Sequence, residues 1–159
     1  MSRFFPDYDP LKFNDTLPPY ADRPFPGVCW MKPQGSTQAF YARLRFTLNE
    51  KTTIRFHVSG DRWFDLRLDG QFITDGPECS DSAHWCYSSF EEELMPGEHE
   101  FFARIVMLPA KLKPWNAMGG NCGFFFFAEA PFTELLSTGA GAWEFAIARS
   151  LVFPEDYGK

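Results

Sequence analysis

The stretch from Trp63 to Thr74 constrains the fold of this chain more than any other part of its sequence. Apolar and polar residues alternate at its start, which puts three apolar side chains on one face: Phe64, Leu66 and Leu68. A period of two is typical of a half-buried β-strand. Asp69-Gly70 follows directly, and this pair favours a type I′ turn because both central residues need positive φ. The sequence therefore predicts a β-hairpin.

The two segments before this hairpin show the same alternation. In the strand predicted from Gln38 to Leu48, the inward residues are Phe40, Ala42, Leu44, Phe46 and Leu48. In the strand predicted over Thr52–Ser59, the inward residues are Ile54, Phe56 and Val58, and His57 is expected to face solvent. Both segments are amphipathic in the way that antiparallel sheets require.

The second half of the chain continues the pattern less regularly. Glu98–Leu108 alternates and predicts a strand, whereas Phe90–Leu94 is expected to be a short polar connection. Phe124–Phe127 has no alternation, which indicates a central strand covered on both faces. Trp143–Arg149 is interpreted as a last strand or a short helix.

Together these elements predict an all-β fold, an antiparallel β-sandwich or jelly roll. Residues 1–37 are rich in proline, so we expect an irregular arm, and their many aromatic side chains favour an arm packed on the domain. The expected organisation is this arm, a single β-sandwich domain over residues 38–153 and a C-terminal tail over residues 154–159.

Charge and composition narrow the classes of function. The net charge is −6 and the arginines are scattered, so nucleic acid is not expected as a partner. No apolar run approaches the ~20 residues of a membrane span, and the first residues do not resemble a signal peptide. We therefore expect a cytoplasmic chain with no membrane partner. The cysteines lack metal-binding spacing and are expected to be reduced and mostly buried: Cys29, Cys79, Cys86 and Cys122.

One segment carries a family resemblance. After the hairpin come Gly76-Pro77, Ser80-Asp81, His84-Trp85 and Tyr87, and later Leu136-Ser137-Thr138-Gly139 with Trp143. This order resembles the N-terminal β-sandwich domain of bacterial α-L-rhamnosidases, which is similar to galactose-binding jelly rolls. The family often has an arginine where this chain has Cys79.

The resemblance implies a role without catalysis. The catalytic carboxylates of such glycoside hydrolases lie in a separate helical domain, and nothing in these 159 residues corresponds to that domain. The leading hypothesis is an accessory domain that packs on the catalytic domain and contacts the glycan. The alternatives are an autonomous carbohydrate-binding module for rhamnose-type sugars, and an interaction module without a sugar site that pairs with a second copy as a homodimer.

The candidate carbohydrate-binding residues combine exposed aromatic rings with polar neighbours, because a sugar presents an apolar face and a rim of hydroxyls. They are Asp81, His84, Trp85, Trp115, Asn116 and Trp63. The structural alternative makes Trp85 and Tyr87 core aromatics, with Ser80 and Asp81 capping the turn. His57 and His99 are expected to be solvated rather than catalytic.

No cofactor is expected, although calcium stays an open alternative. A calcium site needs six to eight oxygen ligands, and the available carboxylates are Asp69, Asp75 and Asp81. Their spacing matches no EF-hand.

Overall fold

The computed structural model describes residues 2–8, 10, 29–35, 39–61, 63–76, 86–106 and 123–150. These residues form β-strands and one short helix. In chain order the elements are β1 (Ser2–Phe4), β2 (Ala39–Leu48), β3 (Thr52–Gly60), β4 (Trp63–Leu68), β5 (Gln71–Gly76), β6 (Ser88–Leu94), β7 (Gly97–Val106), β8 (Phe124–Ala128), α1 (Thr133–Leu136) and β9 (Glu144–Ile147).

The strands make two antiparallel sheets that pack face to face. The four-stranded sheet has the order β1-β6-β3-β8, and the five-stranded sheet has the order β5-β4-β7-β2-β9. Inner side chains of both sheets join one hydrophobic cluster. This confirms the predicted all-β sandwich.

Phenylalanine is the most frequent residue of the core. Phe56 on β3 stacks on Phe126 of β8 with 5.0 Å between ring centroids, and its edge meets Phe101 of β7 at 5.2 Å. Such aromatic pairs add about 0.5–1.5 kcal/mol to the effect of area burial. All the inward residues predicted for β2 and β3 are buried, so the alternation was interpreted correctly.

The predicted hairpin is confirmed. Asp69 and Gly70 have φ values of 50° and 78°, the left-handed conformation that a type I′ turn needs. The turn joins β4 to β5, and the register shifts between Leu66 and Arg67.

Phe90–Leu94 is not a polar connection, and that prediction was wrong. It belongs to β6, which lies between β1 and β3. Phe90 and Leu94 are buried in the core, while Glu91 pairs with Arg55 on β3 at 2.6 Å. Cross-strand ion pairs allow acidic residues on the outer side of a strand.

Two further predictions need correction at the ends of the four-stranded sheet. Residues 2–4 were expected to be irregular but form β1, which pairs with β6. Phe124–Phe127 is covered on both faces as expected, yet in the described residues β8 ends the strand order instead of occupying its centre. Trp30 covers its outer side through Phe125 at 5.5 Å, and a bridge from Met31 to Phe124 continues its edge.

The segment from Leu136 to Trp143 packs against β8. Thr138 Oγ1 accepts a hydrogen bond from the Phe126 N–H, and the Trp143 indole N–H donates to the Leu136 carbonyl at 2.8 Å. Gly141 approaches the backbone so closely that a Cβ there would lie 2.5 Å from the Leu135 oxygen. The Leu136–Gly139 segment and Trp143, which carry part of the family resemblance, therefore have a packing role.

The two described cysteines, Cys29 and Cys86, are not joined to each other in a disulfide. Cys86 is half-buried, but Cys29 is exposed, so the expectation of burial was wrong for Cys29. Cys79 and Cys122 lie outside the described residues.

Candidate functional site

Most of the predicted carbohydrate-binding residues lie outside the part of the chain that the structure describes. These are Asp81, His84, Trp85, Trp115 and Asn116. Trp63 is described and begins β4. The structure therefore places one of the predicted carbohydrate-binding residues, and the surroundings of Trp63 define the candidate site.

Trp63 lies on the outer side of the five-stranded sheet and is half-buried. The guanidinium of Arg104 lies over its ring, 5.0 Å from the ring centroid. Arg104 Nε donates a hydrogen bond of 2.8 Å to Asp65 Oδ2, and Asp65 is directly opposite Arg104 in the β4–β7 register. The ring and the carboxylate together fix the arginine side chain, because a cation–π contact and a charge-assisted hydrogen bond act on it at once.

Asp65 alternates with the inward residues Phe64 and Leu66 and therefore lies on the outer side of β4, yet it is only 4% exposed. Arg67 adds a second, longer contact of 3.6 Å to its other carboxylate oxygen. The alternation correctly placed Asp65 on the outer side. It could not show that neighbouring side chains cover this carboxylate.

A second aromatic group lies beside Arg104. Tyr41 on β2 stacks on Phe102 of β7 with 5.5 Å between ring centroids, and both residues are half-buried. Tyr41 and Trp63 also pack against a small apolar cluster on this side of the sheet, formed by Ala39, Val106 and Ala148. We call the surface formed by Trp63, Asp65, Arg104, Tyr41 and Phe102 the arginine–aromatic face.

The charges around this face are paired. Arg43 donates to Glu144 from Nε at 3.0 Å, which raises the pKa of Arg43 and lowers that of Glu144. Arg45 donates to Glu100 at 2.9 Å. The surface therefore combines aromatic rings with hydrogen-bonding groups and has little excess charge.

The aspartates considered for calcium are not all brought together. Asp69 lies at the hairpin turn and Asp75 near the far end of β5, roughly 15 Å away along a strand. Asp69 accepts hydrogen bonds from the Glu100 N–H and from His99, so its oxygens already have donors. Among the described residues, no group of three or more His, Cys, Asp and Glu side chains could hold a metal ion.

His57 lies at the centre of a second polar cluster, on the outer side of the four-stranded sheet. The expectation that it is solvated was wrong, since it is 0% exposed. Its Nδ1 lies 2.8 Å from Ser89 Oγ and its Nε2 lies 2.9 Å from Glu129 Oε1. The arrangement fits a neutral imidazole that donates to Glu129 and accepts from the Ser89 hydroxyl.

Aromatic rings enclose this histidine. Phe127 stacks on His57 at 5.7 Å, and the edges of Tyr87 and Phe4 meet it at 5.6 and 6.1 Å. Burial lowers the pKa of His57, and the carboxylate of Glu129 only partly opposes this. Ser89 is 3% exposed, so the serine and the histidine are both buried, and the carboxylate of Glu129 is the partly exposed member of this network.

Tyr8 extends the network toward the N-terminal strand. Its hydroxyl donates to Glu129, and its pKa is raised by burial and by that carboxylate. Arg55 lies over the Phe4 ring at 5.5 Å. These contacts hold the first residues against the outer side of the sheet.

Sequence reasoning did not single out Tyr41, Phe102, Arg104 or Glu129 as site residues. Tyr41 and Arg104 occupy outward positions of alternating strands. Charged and aromatic side chains are common at such positions, so these two residues do not indicate a site by themselves. Only the pairing register brings Tyr41 and Asp65 to either side of Arg104. A search for aromatic residues at outward strand positions would have found Tyr41 and Phe102.

Among the described residues, no helix is long and apolar enough to cross a membrane. No protein-family model matches the sequence, and no curated protein matches it either. The fold is similar to part of the native α-L-rhamnosidase from Aspergillus terreus, with a TM-score of 0.51 and 10% sequence identity. The match covers 73% of this chain and 15% of the rhamnosidase chain. This likeness supports, at the level of fold, the resemblance that the sequence suggested.

Proposed function

We propose that this chain is a non-catalytic accessory β-sandwich of an α-L-rhamnosidase-like glycoside hydrolase, equivalent to the N-terminal domain of such enzymes. The observation that carries the proposal is the fold similarity, in which most of this chain matches a small part of a rhamnosidase chain. A domain of that relative size contributes packing surface and substrate contact to a larger enzyme.

The described polar clusters support this assignment. Glycosidic bond hydrolysis by the inverting mechanism needs two accessible carboxyl groups about 6.5–9.5 Å apart, with room for a water molecule. Asp65 is covered by arginines and Glu129 is engaged by His57 and Tyr8. Both carboxylates have structural partners that compete with a role in proton transfer.

Two measurements test the proposal. The purified chain is incubated with 4-nitrophenyl α-L-rhamnoside, and we expect no hydrolysis above the buffer rate. The chain is also added to an α-L-rhamnosidase that lacks its own matching sandwich, and we expect a 1:1 complex by size-exclusion chromatography with light scattering. Hydrolysis by the isolated chain, or no complex with the truncated enzyme, would contradict the proposal.

An autonomous carbohydrate-binding module is the second candidate. A half-exposed tryptophan next to a carboxylate favours it, since Trp63 and Asp65 hold Arg104 between them. This candidate needs saturable sugar binding by the chain alone, with no requirement for a catalytic partner.

A further inference from the structure

The register of the five-stranded sheet arranges the arginine–aromatic face in rows. Asp65, Arg104 and Tyr41 lie directly opposite one another on β4, β7 and β2. With strands about 4.8 Å apart, this row spans roughly 10 Å. Trp63 is two residues from Asp65 along β4, and Phe102 is two residues from Arg104 along β7. The two aromatic residues therefore lie on opposite sides of this row.

The central arginine is held in position and still has free donors. Arg104 uses Nε for Asp65, and its side chain is 41% exposed. Within the described part of the chain, the N–H groups on its two terminal nitrogens make no hydrogen bond and can donate to a ligand. A guanidinium that is fixed by a ring and a carboxylate loses less conformational freedom when it binds hydroxyl groups.

The chemistry of the face selects the class of ligand. Rings at both borders of a polar row suit a molecule with apolar patches and hydroxyls, as tryptophan and tyrosine surfaces generally do. Among the described residues, Arg43 and Arg45 pair with Glu144 and Glu100. Arg67 and Arg104 share Asp65, so the described part of the face has at most a small cationic excess, which does not favour a polyanion. A neutral polyhydroxylated ligand fits better than nucleic acid or an acidic polymer.

We propose that the arginine–aromatic face binds a neutral rhamnose-bearing oligosaccharide that lies across β4, β7 and β2. Trp63 and the Tyr41–Phe102 pair contact the apolar sides of the sugar rings, including the methyl group of rhamnose. Arg104 donates to sugar hydroxyls. The choice of a rhamnosyl ligand rests on the proposed function, whereas the position of the site rests on the geometry of this sheet.

The test is a titration of the purified chain with a neutral rhamnosyl oligosaccharide, with cellohexaose for comparison. Isothermal titration calorimetry gives the affinity, and amide chemical shifts of the unsubstituted protein locate the site. We expect saturable binding of the rhamnosyl ligand, shift changes concentrated on β4, β7 and β2, and little change in affinity between low and moderate salt. A fragment of a polyanionic glycan serves as the charged probe.

The variants separate this face from other exposed rings. W63A and F102A are expected to weaken binding by about tenfold or more each, since buried aromatic contacts dominate such sites. F5A is the matched control, because Phe5 is 86% exposed and lies beyond β1 of the other sheet, and it should leave affinity unchanged. W63F checks that any loss is not a loss of folding.

Three outcomes overturn the proposal. They are no saturable binding up to tens of millimolar, shift changes away from these strands, and binding only of the polyanionic probe with loss in salt. Binding of cellohexaose as tightly as the rhamnosyl ligand would overturn the assigned sugar. The association assay above reports on the proposed function separately, because a face that binds sugar needs no catalytic partner.

Discussion

The imidazole of His57 and the carboxylate of Glu129 are joined by a hydrogen bond of 2.9 Å, although they lie on β3 and just after β8. The histidine is fully buried and the glutamate is partly exposed. The pair links the outer side of the four-stranded sheet to the segment that leads into α1, and its protonation state affects the stability of both.

Acidification should destabilise the protein through His57. Burial lowers the pKa of this histidine in the folded state, so the unfolded chain binds more protons near its usual pKa of about 6.5. The stabilisation is complete above that pH and is lost as the pH falls below it. Urea unfolding between pH 7.5 and pH 5 should show this loss, and H57Q should be less stable at pH 7.5 but show a smaller decrease. An equal decrease in H57Q would mean that another group is responsible.

His99 should have the opposite pH dependence. Burial alone lowers its pKa, but hydrogen bonds to Asp69 and the Met95 carbonyl raise it overall. The stabilisation is therefore complete below about pH 6.5 and is lost as the pH rises through the folded-state value. D69N should remove this loss, with an effect of about 0.5–1 kcal/mol because the pair is partly exposed. NMR titration of the His99 ring in both proteins gives the decisive comparison.

Gly141→Ala should destabilise the sandwich by roughly 1–3 kcal/mol, because the new methyl group would overlap the Leu135 carbonyl. Gly70→Asn is the matched control. Gly70 adopts a positive φ, which asparagine tolerates, and a Cβ added there would meet no atom within 4 Å. Thermal unfolding of both variants distinguishes a close approach from a simple conformational requirement, and equal effects would contradict this explanation.

Asp65 and Arg104 should show energetic coupling. R104Q leaves a carboxylate that is 4% exposed without its closest partner, whereas D65N/R104Q removes both charges. We expect the single change to cost about 1–2 kcal/mol and the double change to cost less than the sum of the single changes. A double-mutant cycle in urea measures the coupling, and additive effects would show that the ion pair does not contribute.

Local patterning was enough to predict the strands whose two sides differ. β2 and β4 alternate clearly, and the Asp69-Gly70 turn follows from the positive φ that its two residues adopt. β6 was missed because Glu91 and its acidic neighbours resemble a solvated loop. Their cross-strand partners, such as Arg55, are distant in sequence, and only the pairing of β3 with β6 reveals them.

The candidate site was harder to predict than the fold for the same reason. Trp63 was selected as an aromatic residue near a hairpin, but its neighbour Arg104 comes from β7 and Tyr41 from β2. His57 occupies an outward position, where alternation predicts exposure. It is buried because Phe4, Tyr87 and Phe127 cover it. Alternation within one strand carries no information about what covers its outer side.

The placement of β1 beside the buried histidine links two equilibria. Phe4 pairs with Ser89 in the sheet register and contacts the His57 ring, so release of this short edge strand admits water to the imidazole. Hydration favours the protonated form, and protonation in turn favours release, because linked equilibria are reciprocal. Proton uptake by His57 is therefore coupled to fraying of β1 at the margin of the sandwich.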